Sequence, residues 1–397
     1  MAFDLNEALT EARALMHVEP PPGGAQVLVK RLEDRWRAAL ALVERAHRSR
    51  SAGDSGVSAL VHYLNGHMDA WPNLLRATHP ATYGPDGAHH ADADVAALRG
   101  VEGRKHLNPL LGKEEPSPTW PLVRALTLKG VRLSPGELDQ ALASPLAASL
   151  RRLSLRQPAK LDELRALVES PLAPNLLALD LVDAKLDAQS SRTLTHPALS
   201  GLVSLDVSLN HLDNEGAAAL VQFEPWGRLH KLDLTANGIE NTGFRSLSRA
   251  THLSSLAWLS LSCNTLGNLV VRTLERAPQL GRLRHLDLSK CDITGEGLRS
   301  LFEIPLLADL DTLCLAYNPG VTNATLGHLA HAAPFPRLRH LDLQACPLDL
   351  TALGELARST QSLSLKILDL RGNPALKKAD HKAVRALPGF QDTQILI

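Results

Sequence analysis

The chain has 397 residues with 42 basic and 42 acidic side chains, a formal net charge of +0, so it lacks the basic excess by which nucleic-acid and membrane-surface proteins hold phosphate. No apolar run approaches the ~20 residues that span a bilayer, and Asp4, Glu7, Glu11 and Arg13 interrupt the N-terminus where a secretory signal needs an unbroken apolar stretch. Four cysteines without a C-x-x-C pair fit reduced thiols, and a cytoplasmic protein is expected.

Residues 1–118 read as mainly helical. Asp4 to Met16 can form a short helix, halted before Pro20, Pro21 and Pro22. From Val27 to Arg48 the residues Val27, Leu32, Trp36, Leu40, Leu42 and Val43 are broadly periodic among Arg31, Glu33, Asp34 and Arg37, as on an amphipathic helix. Val57 to Leu75 resumes the pattern after a Gly- and Ser-rich break. His79 to Asp94 is rich in Gly, Pro, His and Asp and reads as a loop. Within it His89, His90, Asp92 and Asp94 could be metal ligands, but they lack a cysteine and any flanking element to fix them, which also suits a solvated loop.

From Trp120 a frame begins that repeats to about residue 376. Its clearest copy is Leu229 to Ala250, with Leu229, Leu232, Leu234, Asn237 and Ile239 in the pattern L-x-x-L-x-L-x-x-N-x-L. Leu232 and Leu234 are two apart, so a strand points both to one side, and Asp233 to the other. Phe244 and Leu247 are three apart and share one side of a helical turn. The frame starts ten times, at Val123, Leu150, Leu176, Leu202, Leu229, Leu256, Leu283, Leu310, Leu338 and Leu365, in steps of 26 to 28 residues. Counting from each start, slot 9 holds Asn210, Asn237, Asn264, Asn318 and Asn373, with Cys291 and Cys346 as substitutes. The second repeat is irregular at Pro158 and Lys160, and the eighth carries an extra residue near Pro319 and Gly320.

This frame resembles the leucine-rich repeat family, and its period and helical second half are similar to the ribonuclease-inhibitor subtype. The resemblance implies an α/β solenoid: a curved horseshoe with parallel strands on the concave face and helices on the convex face, each repeat packing only on its neighbours. Stacked strands need ~4.8 Å each and helices about 10 Å, which is why such a stack curves. Ten strands are expected. Helices should start at the capping box Ser134-Pro135-Gly136-Glu137 and near Asn214, Asn241, Asn268, Thr294 and Asn323. Residues 1–118 then form an N-terminal capping region, 119–376 the repeats, and 377–397 a C-terminal cap over the exposed end.

Function is expected on the wall made by slots 2, 3, 5, 7 and 8. Slot 5 carries Asp180, Asp206, Asp233, Asp287, Asp342 and Asp369. The resemblance makes Asp common there, so a polar ladder and a ladder tuned to a basic partner both stand. The first two repeats place Arg124, Arg151, Arg152 and Arg156 beside Lys129, either for a partner or to pair with the N-terminal region, where Glu114 and Glu115 lie just upstream. Further along, slot 3 reads Lys231, Trp258, His285, Thr312 and His340, while slot 8 holds Lys290 and Tyr317. An outward aromatic gains nothing for the core and is typical of protein interfaces, although it can also cover its neighbours.

No G-x-S-x-G, H-E-x-x-H or phosphate-loop motif occurs. An intracellular scaffold binding a protein partner on the concave face, as an inhibitor or regulator, is therefore expected: a monomer, not an enzyme, with no cofactor, nucleic acid or membrane. The alternative is an enzyme or metal protein. Cys314 in slot 5 should face out between Asp287 and Asp342, with His285 and His340 diagonal to it. A thiol with imidazoles and carboxylates could bind metal or act as a nucleophile.

Overall fold

A computed structural model describes residues 4–17, 25–48, 53–71, 99–106, 108–117, 119–129, 131, 133, 136–156, 161–240, 242–332, 335–359 and 365–397. The chain forms two compact units, residues 1–181 with 198–204, and residues 182–197 with 205–397. The loop with His89, His90, Asp92 and Asp94, and Pro158 and Lys160 of the irregular repeat, lie outside the described residues.

The first unit opens with three helices. The helix α1 (Leu5–Met16) is capped by Asp4, whose carboxylate accepts the N–H groups of Asn6 and Glu7. On α2 (Ala25–Arg48) the buried stripe is Leu28, Leu32, Trp36, Ala39, Leu42, Val43 and Ala46. Leu40, expected in that stripe, is only half-buried, because the 3.6-residue turn puts Ala39 under the contact instead. The third helix, α3 (Gly53–Met68), buries Leu60, Val61, Leu64 and Met68.

Four parallel strands follow: β1 (Gly100–Glu102), β2 (Ala125–Lys129), β3 (Arg152–Arg156) and β4 (Ala178–Asp180). The first was not legible as part of the frame. It pairs Gly100–Glu102 with Ala125–Thr127 and so covers the open edge of the first repeat strand. Arg99 anchors it, 2% exposed: its Nε donates to the Leu122 carbonyl, and its terminal nitrogens to Asn65 in the last turn of α3 and to Asp69 just past its end. On the outer side lie α4 (Glu137–Ala143) and α5 (Leu161–Glu169). Ser134 and Pro135 of the expected capping box lie outside the described residues. The N-cap is Gly136 at φ +79°, and the Glu137 carboxylate is taken by Arg104 and Lys113 at 2.6 and 2.7 Å.

The division between the units falls in β5 (Ser204–Asp206). Then come β6 (Lys231–Asp233), β7 (Trp258–Ser260), β8 (His285–Asp287), β9 (Thr312–Cys314), β10 (His340–Asp342), β11 (Ile367–Asp369) and β12 (Gln394–Leu396). They run in chain order, and the seven described from β6 on are parallel. Strands β2 to β11 are the ten expected from the repeats. The last is an addition, as Gln394–Leu396 pairs with Ile367–Asp369 and closes the edge. The outer halves are α6 (Ala188–Leu194), α7 (Asp213–Val221), α8 (Leu269–Glu275), α9 (Gly295–Phe302), α10 (Asn323–Ala332), α11 (Leu350–Ser359) and α12 (Asp380–Arg385). The fifth repeat departs from them: Gly243–Arg249 is a 3-10 helix. Phe244 and Leu247, both buried, are spaced by the three residues of a 3-10 turn. The strand leucines Leu232, Leu234, Leu259 and Leu261 are 0% exposed.

The repeats are stitched by slot 9. Asn264 Nδ2 donates to the carbonyl of Leu234 in the preceding repeat and to that of Leu261 in its own, both at 2.9 Å. Its Oδ1 accepts the N–H groups of Asn237 and Ile239, also in the preceding repeat, at 3.0 Å. Asn210 and Asn318 do the same for Ala184 and Leu186, and for Cys291 and Ile293. Where the slot holds Cys291, the thiol donates to the Leu261 carbonyl at 3.2 Å. Asn237 keeps only the donor half, its buried Oδ1 having no partner.

The asparagines expected to cap helices do something else. Asn214 and Asn268 make no cap bond to α7 or α8. Their Oδ1 atoms reach forward to the N–H groups of Glu240 and Thr294 in the next repeat, at 2.8 and 3.0 Å, and Asn323 reaches Asp349 at 3.2 Å. Asn241 lies outside the described residues. Space for this comes from glycine: a Cβ on Gly297 would fall 2.2 Å from the Asn268 Oδ1. In the eighth repeat the extra residue fits because Gly320 lies flat on the preceding backbone, where a Cβ would come within 2.3 Å of the Ile293 carbonyl.

Asn264→Ala therefore strands two buried N–H groups and the Leu234 carbonyl, while the Leu261 carbonyl keeps the Cys291 thiol, and should lose about 2–3 kcal/mol of stability in urea unfolding. Asn237→Ala, which gives up donors alone, should lose measurably less. Equal losses would contradict this account of the ladder.

Candidate protein-binding interface

The strongest local arrangement in the second unit is built from slot 3 of three adjoining strands. Lys231, Trp258 and His285 are register partners across β6, β7 and β8. The Lys231 ammonium stands 4.3 Å from the centroid of the Trp258 ring, and the His285 imidazole stacks on Trp258 at 4.5 Å with 9° between the planes. The three side chains are half-buried, with both faces of the indole occupied. Trp258 thus covers its neighbours as well as presenting an edge to solvent. Burial holds His285 down to about 4 from its ordinary 6.5, helped by the nearby His340 and Lys231 charges, so the ring is neutral at physiological pH.

Of the other expected contact residues, His340 is half-buried at slot 3 of β10, two strands from His285. Lys290 and Tyr317 are both exposed, Tyr317 by 57%. The arginines of the first unit are mostly spent on structure. Arg124 donates to the Pro121 and Val123 carbonyls and to Asn65, and Arg151 to the Ala148 and Leu150 carbonyls. Arg152 pairs with Asp180 of the next strand at 2.7 Å. Their link to the N-terminal region runs through Asn65, not Glu114, which binds Asn108. Arg156 is exposed.

The slot-5 acids have a local task that the sequence did not disclose. Asp206, Asp233, Asp287, Asp342 and Asp369 each accept the N–H two residues on, closing the strand exit at 2.9–3.2 Å. Cys314 lies on the face opposite the core leucines Leu313 and Leu315, as expected, but is covered there and only 8% exposed. Burial, with Asp287, Asp342 and Asp369 around it, pushes the thiol far above its usual range, which disfavours a thiolate nucleophile. His285 is turned onto Trp258. Among the described residues no three His, Cys, Asp or Glu side chains are grouped to hold a metal ion, and no helix is long and apolar enough to cross a membrane.

Slot 8 is the feature that sequence reasoning missed. From the third repeat on it is left-handed throughout, at Asp183, Leu209, Ala236, Cys263, Lys290, Tyr317, Ala345 and Gly372, with φ between +50° and +72°. The asparagine after it gave a hint, since its inward turn demands a sharp bend.

A family comparison agrees with the repeat frame. The Leucine Rich repeat model matches residues 202–221 and 283–302. The fold is a leucine-rich repeat solenoid. The repeat chain is similar to the crystal structure of an internalin from Listeria monocytogenes, with 17% identity over 70% of this chain and 69% of that one and a TM-score of 0.43. No curated protein matches it.

The depressed His285 gives a signed prediction. Its folded value lies below the unfolded one, so as pH falls from about 6.5 to about 4 the unfolded chain takes up a proton that the folded chain refuses. The stability contributed by neutral His285 is present above that window and should fall through it by on the order of 2–3 kcal/mol. In His285→Gln that part of the slope should vanish from urea titrations run between those values. An unchanged slope would show that the stack does not hold the ring neutral.

Proposed function

We propose that this chain is a protein-interaction scaffold, which holds a partner protein against the strand-lined wall of the repeats and acts on it as an inhibitor or regulator. The observation that carries this is the Lys231–Trp258–His285 stack. It lies outside the leucine core and fixes a large amphipathic ring in one orientation, as interface anchors do. His340, Lys290 and Tyr317 extend the same contact face, and Arg156 offers an exposed cation in the first unit. Reduced thiols at Cys263, Cys291, Cys314 and Cys346 favour a cytoplasmic setting. The long repeat period favours the ribonuclease-inhibitor-like subtype, and a monomer that needs no cofactor.

The test is capture and identification of a partner with the full chain, followed by affinity measurements on variants. Trp258→Ala and Tyr317→Ala should each weaken binding by more than ~1 kcal/mol while thermal unfolding moves little. Undiminished affinity in both would remove the wall as the binding face. Catalytic turnover by the purified chain with no partner present would remove the scaffold reading itself.

A further inference from the structure

Among the described residues the exposed large hydrophobic side chains are Leu209 and Tyr317, and both occupy slot 8. They sit at φ +59° and +57°, a conformation that disfavours any side chain with a Cβ and that glycine adopts freely. Neither side chain buries itself in the core. Each is held by the fold, because its N–H donates to slot 7 of the next repeat, Leu209 to Thr235 and Tyr317 to Gln344, at 2.8 Å. A residue that is strained, apolar and exposed contributes nothing to stability, which points to use elsewhere.

The surroundings of the two are alike. Leu209 follows Asp206, and Asp233 stands in the same slot on the next strand; burial, and then the field of Asp206, raise the Asp233 carboxyl. Tyr317 follows Cys314, whose register partners are Asp287 and Asp342. Each anchor thus follows by three residues a slot-5 position flanked by or holding carboxylates, and Arg371 also lies in the field of Tyr317. Lys231 and Lys290 are the nearby cations, and Arg371 is engaged by Asp369 at 2.6 Å. The slot-8 N–H groups are consumed in the ladder, so an added strand would gain no main-chain bonds there. Contact must come from side chains.

We infer that the slot-8 ridge from Leu209 to Tyr317 docks a cationic amphipathic helix of a partner protein, whose apolar face meets the two anchors and whose Lys or Arg residues meet Asp206, Asp233, Asp287 and Asp342. The anchors are four strands apart, roughly 19 Å at the strand spacing. A helix covers that distance in roughly 13 residues. An anionic surface of nucleic acid or lipid is repelled by the same carboxylates. The inference rests on the interaction reading above and names the chemistry of its partner.

The probe is a labelled 18-residue leucine–lysine peptide with leucines on one helical face (about five turns), compared with one of identical composition whose leucines are scattered around the helix. Fluorescence anisotropy with the full chain should show saturable one-to-one binding of the first, and at least tenfold weaker binding of the second. The double variant Leu209→Gly, Tyr317→Gly should fold with Tm unchanged or raised, since glycine suits the backbone, and lose at least tenfold in affinity. Asp206→Asn with Asp233→Asn should lose a similar factor at low salt. No saturable binding, equal binding of the two peptides, or full affinity in the glycine variant would overturn the inference. So would adsorption to phosphatidylcholine vesicles that the glycine variant abolishes. If partner capture depends on Trp258 while the peptide does not bind, the ridge is wrong and the scaffold reading survives. If the peptide binds through the ridge while no partner depends on Trp258, the wall is wrong and the ridge stands.

Discussion

The amide of slot 9 is the interaction on which the rest of the repeat array depends. A single repeat of about 27 residues cannot bury its leucines alone, so its stability resides in contact with the next. Leucine packing supplies the larger energy but tolerates sliding. Directional hydrogen bonds from Asn210, Asn264 and Asn318 to fixed carbonyl and N–H groups of the preceding repeat do not. Once slot 9 is turned inward, the residue before it must bend the chain the other way. That requirement appears as the left-handed backbone of slot 8 in eight successive repeats. Seven of those residues carry a Cβ, at roughly 1 kcal/mol each. The ladder overcomes this because Asn210, Asn264 and Asn318 each use both the donor and the acceptor of their amide.

The polar side chains of the wall divide along the same logic. Aspartate in slot 5 is first a backbone acceptor, closing the strand exit through the N–H two residues later. That bond uses one carboxylate oxygen and leaves a net negative strip whose charge is a by-product of local structure. Desolvation and mutual repulsion raise Asp233 and Asp342, the state of acids lacking sufficient cations nearby. In the first unit the cations go to structure instead. Arg99, held at about 10 by burial and by Arg124, fastens β1 to α3, and Arg152 neutralises Asp180. The same residue types that suggest recognition in a linear sequence are in these places consumed by capping and pairing.

This separates what the sequence could and could not disclose. The ten repeat strands, the buried leucines and the inward asparagines were legible because period-2 and period-27 patterns leave few alternatives. The two flanking strands were not, since Gly100–Glu102 and Gln394–Leu396 are too short to carry a pattern and exist only because an edge needs covering. The helix starts near Asn214, Asn268, Thr294 and Asn323 were legible, but the cap bonds expected at Asn214, Asn268 and Thr294 do not form. Asn214 and Asn268 are good N-caps by type, yet a carboxamide that can reach the next repeat satisfies an N–H there. Of the candidate site, Trp258 was found by being a large aromatic in an outward slot. The slot-3 row already set Lys231 and His285 on either side of it, but that both close on the indole depends on side-chain conformations the pattern does not carry. Cys314 was placed on the right face, but its burial was not legible: a thiol is small enough for its register partners Asp287 and Asp342 to cover it.

On the proposed reading, the stack would let the wall recognise a partner at low entropic cost. A free tryptophan on a surface loses rotamer freedom when it is bound. Trp258 is held between an ammonium on one face and an imidazole on the other, so most of that loss is taken on folding. The arrangement requires three consecutive repeats in register, because each contributes one member from the same slot. A slip of one residue between strands would turn the indole into the leucine core. The slot-9 amides prevent that slip. The geometry of the candidate interface is therefore set by hydrogen bonds on the other side of the sheet, and changes in the asparagine ladder should reach the partner's affinity without touching any residue the partner meets.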